Sequence, residues 1–384
     1  MRKAFITPSK YVQGEKELLN LGFFVKAFGE SALLVASASG YARVRETIEK
    51  TADKFEVTFV TADFNGQCSK TEIARLRELS QENGCSCTVG LGGGKAIDTA
   101  KCIADGNPLI IVPTNAATDA PTSHLAVVYT GDGVFEEYVF LHRNPDVVLL
   151  DTDIIARSPV RLLVSGMGDA LATFFEARSC ERSCADVFAG LPCGAKGTIC
   201  PPAKSTRTAM ALARLCYETL LSDGFMAKQA CELQVVTPSL ENIVEANSLL
   251  SGLGFENGGL SAAHSIHDGL TALPQTHAYY HGEKVAFGTI CQLILENAPK
   301  EELDTVICFC LKVGLPVCLE DIGIKELSAQ KLEEVTAIAC VQGSNIHNMP
   351  FPVQKERVAA CILAADKMGR TYKAHIGGNG RCGG

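Results

Sequence analysis

The sequence predicts an α/β N-terminal domain with a parallel sheet, residues 1–157, followed by an all-α domain, residues 158–384. Three observations carry this. The chain has 384 residues, long for one core and better divided into two. Up to about residue 157, short apolar runs alternate with segments at helical period, the pattern of a parallel sheet covered on both faces. Beyond Ser158 and Pro159 the helical periodicity continues and strand patterning stops.

The elements follow in order. ALLVAS (32–37) reads as a buried strand, VRETIEKTADKF as a helix and EVTFVTA as the next strand. SKTEIARLRELSQENG opens with Ser69 three residues before Glu72, the spacing of a capping box. CTVGLGGG runs from strand into glycine loop, KAIDTAKCIAD is a helix, and PLIIVPT and DVVLLDTDII are further strands. In the second domain, SPVRLLVSGMGDALATFFEARSC, TRTAMALARLCYETLL, SLENIVEANSLLSGLGF and EKVAFGTICQLILENA are helical. AGLPCGAKGTICPPAK (189–204) is a loop by its Gly, Pro and Cys content, and the tail HIGGNGRCGG is expected to fray.

Composition narrows the function classes. The net charge is −8 without a Lys and Arg cluster, which argues against a nucleic-acid or anionic-membrane partner. No apolar run reaches the roughly 18 residues of a membrane span. MRKAFITPSKYVQG lacks the apolar core of a secretory leader, so a cytoplasmic protein is expected. Seventeen cysteines are scattered through apolar segments with no paired C-x-x-C frame, so they read as reduced, mostly structural thiols.

Two loops are candidates for a bound phosphate compound. VGLGGGKAIDTAK (89–101) places three glycines between a strand and a helix. Bare N–H groups and a helix N-terminus there suit a pyrophosphate, although the pattern is neither G-x-G-x-x-G nor a Walker A loop and also suits a tight turn. PTNAATDAPTSHLAVVY (113–129) follows the next strand and is rich in Thr, Asn, Asp and Ser. Ligands of open α/β sheets lie at the carboxyl ends of strands; as a sequence alone the second loop also reads as an ordinary polar turn.

AAHSIHDGLTALPQTHAYYHGEK (262–284) holds His264, His267, His277 and His281, half of the eight histidines. Each pair, three or four residues apart, has the spacing of a shared helix face, with Pro274 breaking the helix between them. Such clustering suits a metal, but spacing does not choose among the four. A catalytic zinc takes three protein ligands and keeps one position open. Asp169, in GMGDALATFFEA, is a candidate third ligand; read locally, it is a first-turn carboxylate or N-cap.

The segments SKYVQG, GLGGGKAIDTAK, TDAP, GMGDALATFFEARSC, VVTPSLENIVEAN, GGLSAAHSIHDGLTAL, YYHGEKVAFGT and NIHNMP resemble, nearly end to end, the glycerol dehydrogenases of the iron-containing alcohol dehydrogenase and dehydroquinate synthase-like superfamily. The resemblance implies a dehydroquinate synthase-like fold with a deep cleft between the two domains. It implies zinc held by Asp169, His264 and His281, which also form the substrate site with Asp119, the match to a residue that binds a substrate hydroxyl. His267 is implied beside the metal as a proton relay, with His277 peripheral. Gly92, Gly93, Gly94, Lys95 and Ala96 are implied at the cofactor pyrophosphate; Thr114, Asn115, Ala116, Ala117, Ser123, Leu125 and Tyr129 on the nicotinamide side. The implied reaction is oxidation of glycerol, or a related vicinal diol, with hydride transfer to NAD(P). Relatives form homo-oligomers, often octamers.

Departures from the family pattern leave alternatives. Thr173 stands where iron-type relatives carry a further histidine, which favours a three-ligand zinc site. Ser37 replaces the Asp that binds the adenosine ribose at the end of the first strand, and Arg43 lies nearby, so NADP stands beside NAD. His124 replaces a small residue, and the 189–204 segment is longer than usual; either is compatible with loop drift or with another substrate, such as a 2-hydroxyacid or hydroxyketone. A lyase of the dehydroquinate synthase type is a further alternative, disfavoured because Glu is expected there in place of Asp169, and a cofactor- or metal-binding protein without catalysis is another, disfavoured by the intact Asp169, His264 and His281 set.

Overall fold

In this computed structural model, which describes residues 1–104, 106–189 and 202–377, the N-terminal strands close into one six-stranded sheet in which every pairing is parallel. The strands are β1 (Tyr11–Gly14), β2 (Ser31–Ala36), β3 (Thr58–Asp63), β4 (Cys87–Gly92), β5 (Leu109–Pro113) and, after a separate hairpin of β6 (Leu125–Tyr129) and β7 (Phe135–Phe140), β8 (Val147–Asp151). Their order is β1-β8-β5-β4-β2-β3. The interior strands CTVGLG, LIIVP and VVLLD are buried almost throughout, as strands covered on both faces must be. One face of β2, with Ala32, Leu34 and Ala36, packs under α1 (Leu21–Lys26) and α2 (Ala38–Phe55). The other, with Leu33 and Val35, packs under α3 (Lys70–Glu82) and α4 (Gly94–Ala104).

Two local expectations are corrected. LAVVY, read as part of the polar loop 113–129, is strand β6. Its partner β7 exposes Phe135, Tyr138 and Phe140, so it lacks the buried alternation that marks a strand in sequence. Only half of the capping box forms. Ser69 Oγ accepts the Glu72 N–H at 3.4 Å, but the Glu72 carboxylate turns to the Asn65 N–H at 3.0 Å and to Arg75.

After α5 (Thr152–Ala156) the chain is helical: α6 (Val160–Ser183), α7 (Arg207–Glu232), α8 (Pro238–Glu245), a π turn over Ala246–Leu250, α9 (Ser251–Gly258), α10 (Ala262–Thr271), α11 (His281–Leu295), α12 (Lys300–Val313), α13 (Ala329–Ala339) and α14 (Lys355–Gly377). The last helix runs through Gly377, so the first three residues of the expected tail are helical, and the rest of it lies outside the described residues. Most of the 189–204 loop lies outside the described residues; its end is tied by a bridge from Ala203 to Val187 and from Lys204 to Lys3.

Helix α6 is the axis of this half, buried continuously from Leu163 to Ala177. It meets α11 backbone to backbone: a Cβ on Gly168 would collide with the Gly282 carbonyl, and one on Gly282 with the Ser165 carbonyl. No helix among the described residues is long and apolar enough to cross a membrane. The fourteen described cysteines are free, and burial pushes core thiols such as Cys87 up to about 12, which keeps those protonated near neutral pH.

Gly282→Ala should force α11 off α6. Overpacking typically costs about 1–3 kcal/mol, and contact with backbone at both helices puts this change at the upper end. A lowered urea midpoint with an unchanged slope is the expected readout.

Candidate metal and dinucleotide site

Asp169 is the tenth residue along α6, in its buried middle and 1% exposed, so the reading as an N-cap or first-turn carboxylate is corrected. His264 stands in the first turn of α10 and His281 is the first residue of α11. Asp169 Oδ1 lies 3.3 Å from His264 Nε2 and 3.1 Å from His281 Nε2. One ligand atom from each of the three residues lies within 4.8 Å of the others. Two imidazoles and a carboxylate are a donor set that fits zinc or a similar divalent ion.

His277 follows a separate short turn at Pro274–Thr276, is exposed, and bonds Thr271 O at 3.1 Å through Nε2. The helix face expected to join it to His281 does not form, because α11 begins only at His281. The break itself comes at Thr271, three residues ahead of Pro274.

Each of these side chains is held by a partner. His264 Nδ1 bonds Glu176 Oε2 at 2.5 Å; Glu176 Oε1 accepts the N–H groups of His264 at 3.0 Å and Ser261 at 2.9 Å. Glu176 lies seven residues after Asp169, two turns along the same face of α6. This orients His264 so that Nε2 faces Asp169. Sequence reading missed Glu176; its signal was a lone carboxylate in an apolar helix at that spacing. His281 Nδ1 is 3.0 Å from His267 Nε2, and His267 Nδ1 is 3.1 Å from Asp268 Oδ1. At the start of α11, Glu283 accepts the Tyr280 N–H at 2.7 Å and is gripped by Arg161 of α6 at 2.6 and 2.8 Å.

The charges follow from these contacts. Burial opposes ionisation of Asp169, yet His281 and His264 hold its carboxyl well below the usual range. Burial also opposes a charged His264, but Glu176 and Asp169 raise it well above its ordinary value. Burial and the neighbouring His281 push His267 down to about 3, leaving it neutral. Burial, then the charge of Asp169, pushes Asp119 well up.

Asp119 joins the two halves at this point. Its N–H donates to Asp169 Oδ2 at 3.4 Å, and its Oδ2 accepts the Ser251 hydroxyl at 2.9 Å. Ser251 Oγ is also 2.9 Å from Thr173 Oγ1. Thr173 thus supports Asp119 through Ser251.

The glycine loop lies at the carboxyl edge of the sheet. Gly92 has φ +148°, and a Cβ on Gly94, the first residue of α4, would meet open space. A bare loop leading into a helix N-terminus fits a pyrophosphate. Lys95 Nζ is 2.8 Å from Gln67 and lies over the Tyr129 ring at 5.5 Å. The chain after β5 runs alongside: Thr114 N–H donates to Gly92 O at 3.0 Å, and Ala117 N–H to Asn115 Oδ1 at 3.2 Å. Gly92 through Ala96 and Thr114 through Ala117 therefore share one edge, with Leu125 and Tyr129 partly exposed.

Other predicted contacts are occupied internally. The carbonyl of buried Ala116 accepts from Asn247 at 2.9 Å. Ser123 is buried, with its hydroxyl 3.2 Å from the ammonium of fully buried Lys101, which also bonds the carbonyls of Ala120 and Leu125. Ser37 Oγ accepts the Gly40 N–H at 3.1 Å and caps α2, and Arg43 lies exposed along that helix. His124 is wholly buried; its N–H donates to Glu256 at 2.7 Å and its Nδ1 pairs with the same carboxylate.

A model of the iron-containing alcohol dehydrogenase family matches residues 8–152. Over 374 residues the chain is 46% identical to a glycerol dehydrogenase of Escherichia coli O6:H1, covering 97% of this chain and 99% of that one. It is 41% identical to a glycolaldehyde reductase of Halobacterium salinarum, covering 97% of this chain and 100% of the relative. A probable glycerol dehydrogenase from Sinorhizobium meliloti 1021 superposes with a TM-score of 0.88 at 43% identity, covering 97% of this chain and all of that one.

Glu176→Gln should keep the helical fold and weaken metal retention. Loss of such a histidine-orienting carboxylate typically costs about 10–100-fold in metal affinity. Competition with a chelator measures it; unchanged affinity would mean that His264 needs no such guide.

Proposed function

Because this chain belongs to the iron-containing alcohol dehydrogenase family and is an NAD-linked, alcohol dehydrogenase-type oxidoreductase, we propose that it oxidises glycerol, or a related vicinal diol, to the hydroxyketone, glycerol giving dihydroxyacetone. The observation that carries this reading is the convergence of Asp169, His264 and His281 on one point beside Asp119. Full-length identity to glycerol dehydrogenases supports it. We take residues 1–157 as the dinucleotide-carrying part and 158–384 as the part that holds metal and substrate.

Asp169, His264 and His281 would hold the ion, and zinc is favoured because Thr173 adds no fourth imidazole. When bound, the metal supplies Lewis acidity that lowers the alcohol's pKa, and nicotinamide supplies the hydride acceptor. Asp119 would receive a substrate hydroxyl, its own carboxyl steadied by Ser251. Gly92 through Ala96 would hold the pyrophosphate and the segment after β5 would guide the nicotinamide, so that cofactor and alcohol meet in one orientation. The alcohol's proton would leave through water or through the chain of His281, His267 and Asp268, whose bonded side chains lead away from the site. A second reading, reduction of a small hydroxyaldehyde at the same site, is favoured by the 41% identity to a glycolaldehyde reductase.

Zinc-loaded protein mixed with NAD or NADP and with glycerol, 1,2-propanediol or a 2-hydroxyacid should reduce cofactor with the two diols and not with the acid, followed by absorbance of the reduced nicotinamide. Asp169→Ala should abolish metal loading and turnover together; turnover by a metal-free Asp169→Ala protein would end the proposal. His267→Ala should keep the metal and lose kcat, by about 10²–10⁴-fold if the relay is a true acid–base step. An unchanged kcat would remove it from that role.

A further inference from the structure

We propose that Asp63, at the end of β3, supplies the carboxylate that binds the adenosine ribose hydroxyls and makes the site select NAD over NADP. The inference rests on the dehydrogenase reading above. In dinucleotide folds, an acidic residue beyond the glycine-bearing strand accepts from the ribose 2′-hydroxyl, and the same charge repels a 2′-phosphate. β2 is the neighbour of β4 and would be the expected source, but it ends in Ala36 followed by Ser37, whose Oγ caps α2. β3 lies next in the sheet, and the parallel register sets Asp63 directly beside Ala36. With neighbouring strands about 4.8 Å apart, Asp63 stands roughly 10 Å to the side of the glycine loop, a separation that an extended adenosine half spans from a pyrophosphate held there.

The backbone around Asp63 is held, while its side chain has the Arg75 guanidinium as a nearby charge and no hydrogen bond among the described residues. The Asp63 carbonyl accepts the Arg75 guanidinium at 2.8 Å, the Asn65 N–H donates to Glu72 at 3.0 Å, and the Phe64 N–H donates to the Ala36 carbonyl at 3.2 Å. Arg75 is otherwise taken by both Glu72 oxygens at 2.8 Å. Asp63 itself is exposed, and its carboxylate makes no hydrogen bond among the described residues. A charged acceptor on a fixed backbone, at the carboxyl edge of the sheet, can bind a ribose diol with little reorganisation.

Fluorescence titration with NADH and NADPH tests this without turnover. Full-length, metal-loaded wild type should bind NADH more tightly than NADPH. Asp63→Asn should keep its melting midpoint and weaken NADH by about tenfold, the scale of one hydrogen bond to a charged group, while NADPH binding holds or tightens. Ser37→Asp, which preserves the α2 cap because Asp is an equally good N-cap, should restore NADH preference in that background. An unchanged NADH to NADPH ratio in Asp63→Asn overturns the proposal and leaves the dehydrogenase reading standing. A wild-type preference for NADPH also overturns it, and points to Ser37 and Arg43. Binding of neither cofactor by wild type removes the dinucleotide reading and the proposal with it.

Discussion

A carboxylate in the middle of a buried helix keeps its charge only if positive or proton-donating groups surround it. The helical half is arranged around that requirement at Asp169. Its two oxygens meet the imidazoles of His264 and His281 and the N–H of Asp119, brought from α10, α11 and the segment after β5. Glycines at 168 and 282 let α6 and α11 approach closely enough for this. Glu176 and Arg161, both on α6, then fix His264 and the start of α11. One helix therefore carries the carboxylate and also holds the pieces that carry its histidines.

The α/β half meets this centre through one segment, 119–125, clamped from both sides. Buried Lys101 of α4 binds the Ala120 and Leu125 carbonyls. From α9, Ser251 holds Asp119 and Glu256 holds His124, while Asn144 bridges the Thr122 carbonyl and Glu256. Since α4 begins at the glycine loop, that loop and the Asp169, His264 and His281 cluster are linked through a short run of buried polar bonds. Buried polar networks are rigid where their members are satisfied; in this one the carbonyls of Ala120, Thr122 and Leu125 are, while His124 Nε2 has no partner among the described residues.

Legibility in the sequence followed how local each signal was. The glycine loop was readable because the need for bare backbone between strand and helix is met within a few residues. The parallel sheet was readable because interior strands are apolar throughout. The β6–β7 hairpin was not, because β7 exposes its aromatics and has no buried face to announce it. Asp169 looked like a first-turn residue because Gly168 imitates a helix start; the true start, Val160, lies nine residues earlier. Glu176 looked like any helical glutamate, since its partner is 88 residues away in the chain.

By itself the sequence determined the layered architecture, the glycine loop, the set of four histidines and, through resemblance, which of them to pair with Asp169. Only the tertiary structure brought two Nε2 atoms from separate helices to one carboxylate oxygen, left His277 outside, engaged Ser37 and Ser123 internally, and set Asp63 beside the end of β2. The physical reason is distance along the chain. Periodicity and turn chemistry act over a few residues, whereas a metal ligand set and a strand register are decided by how buried faces pack.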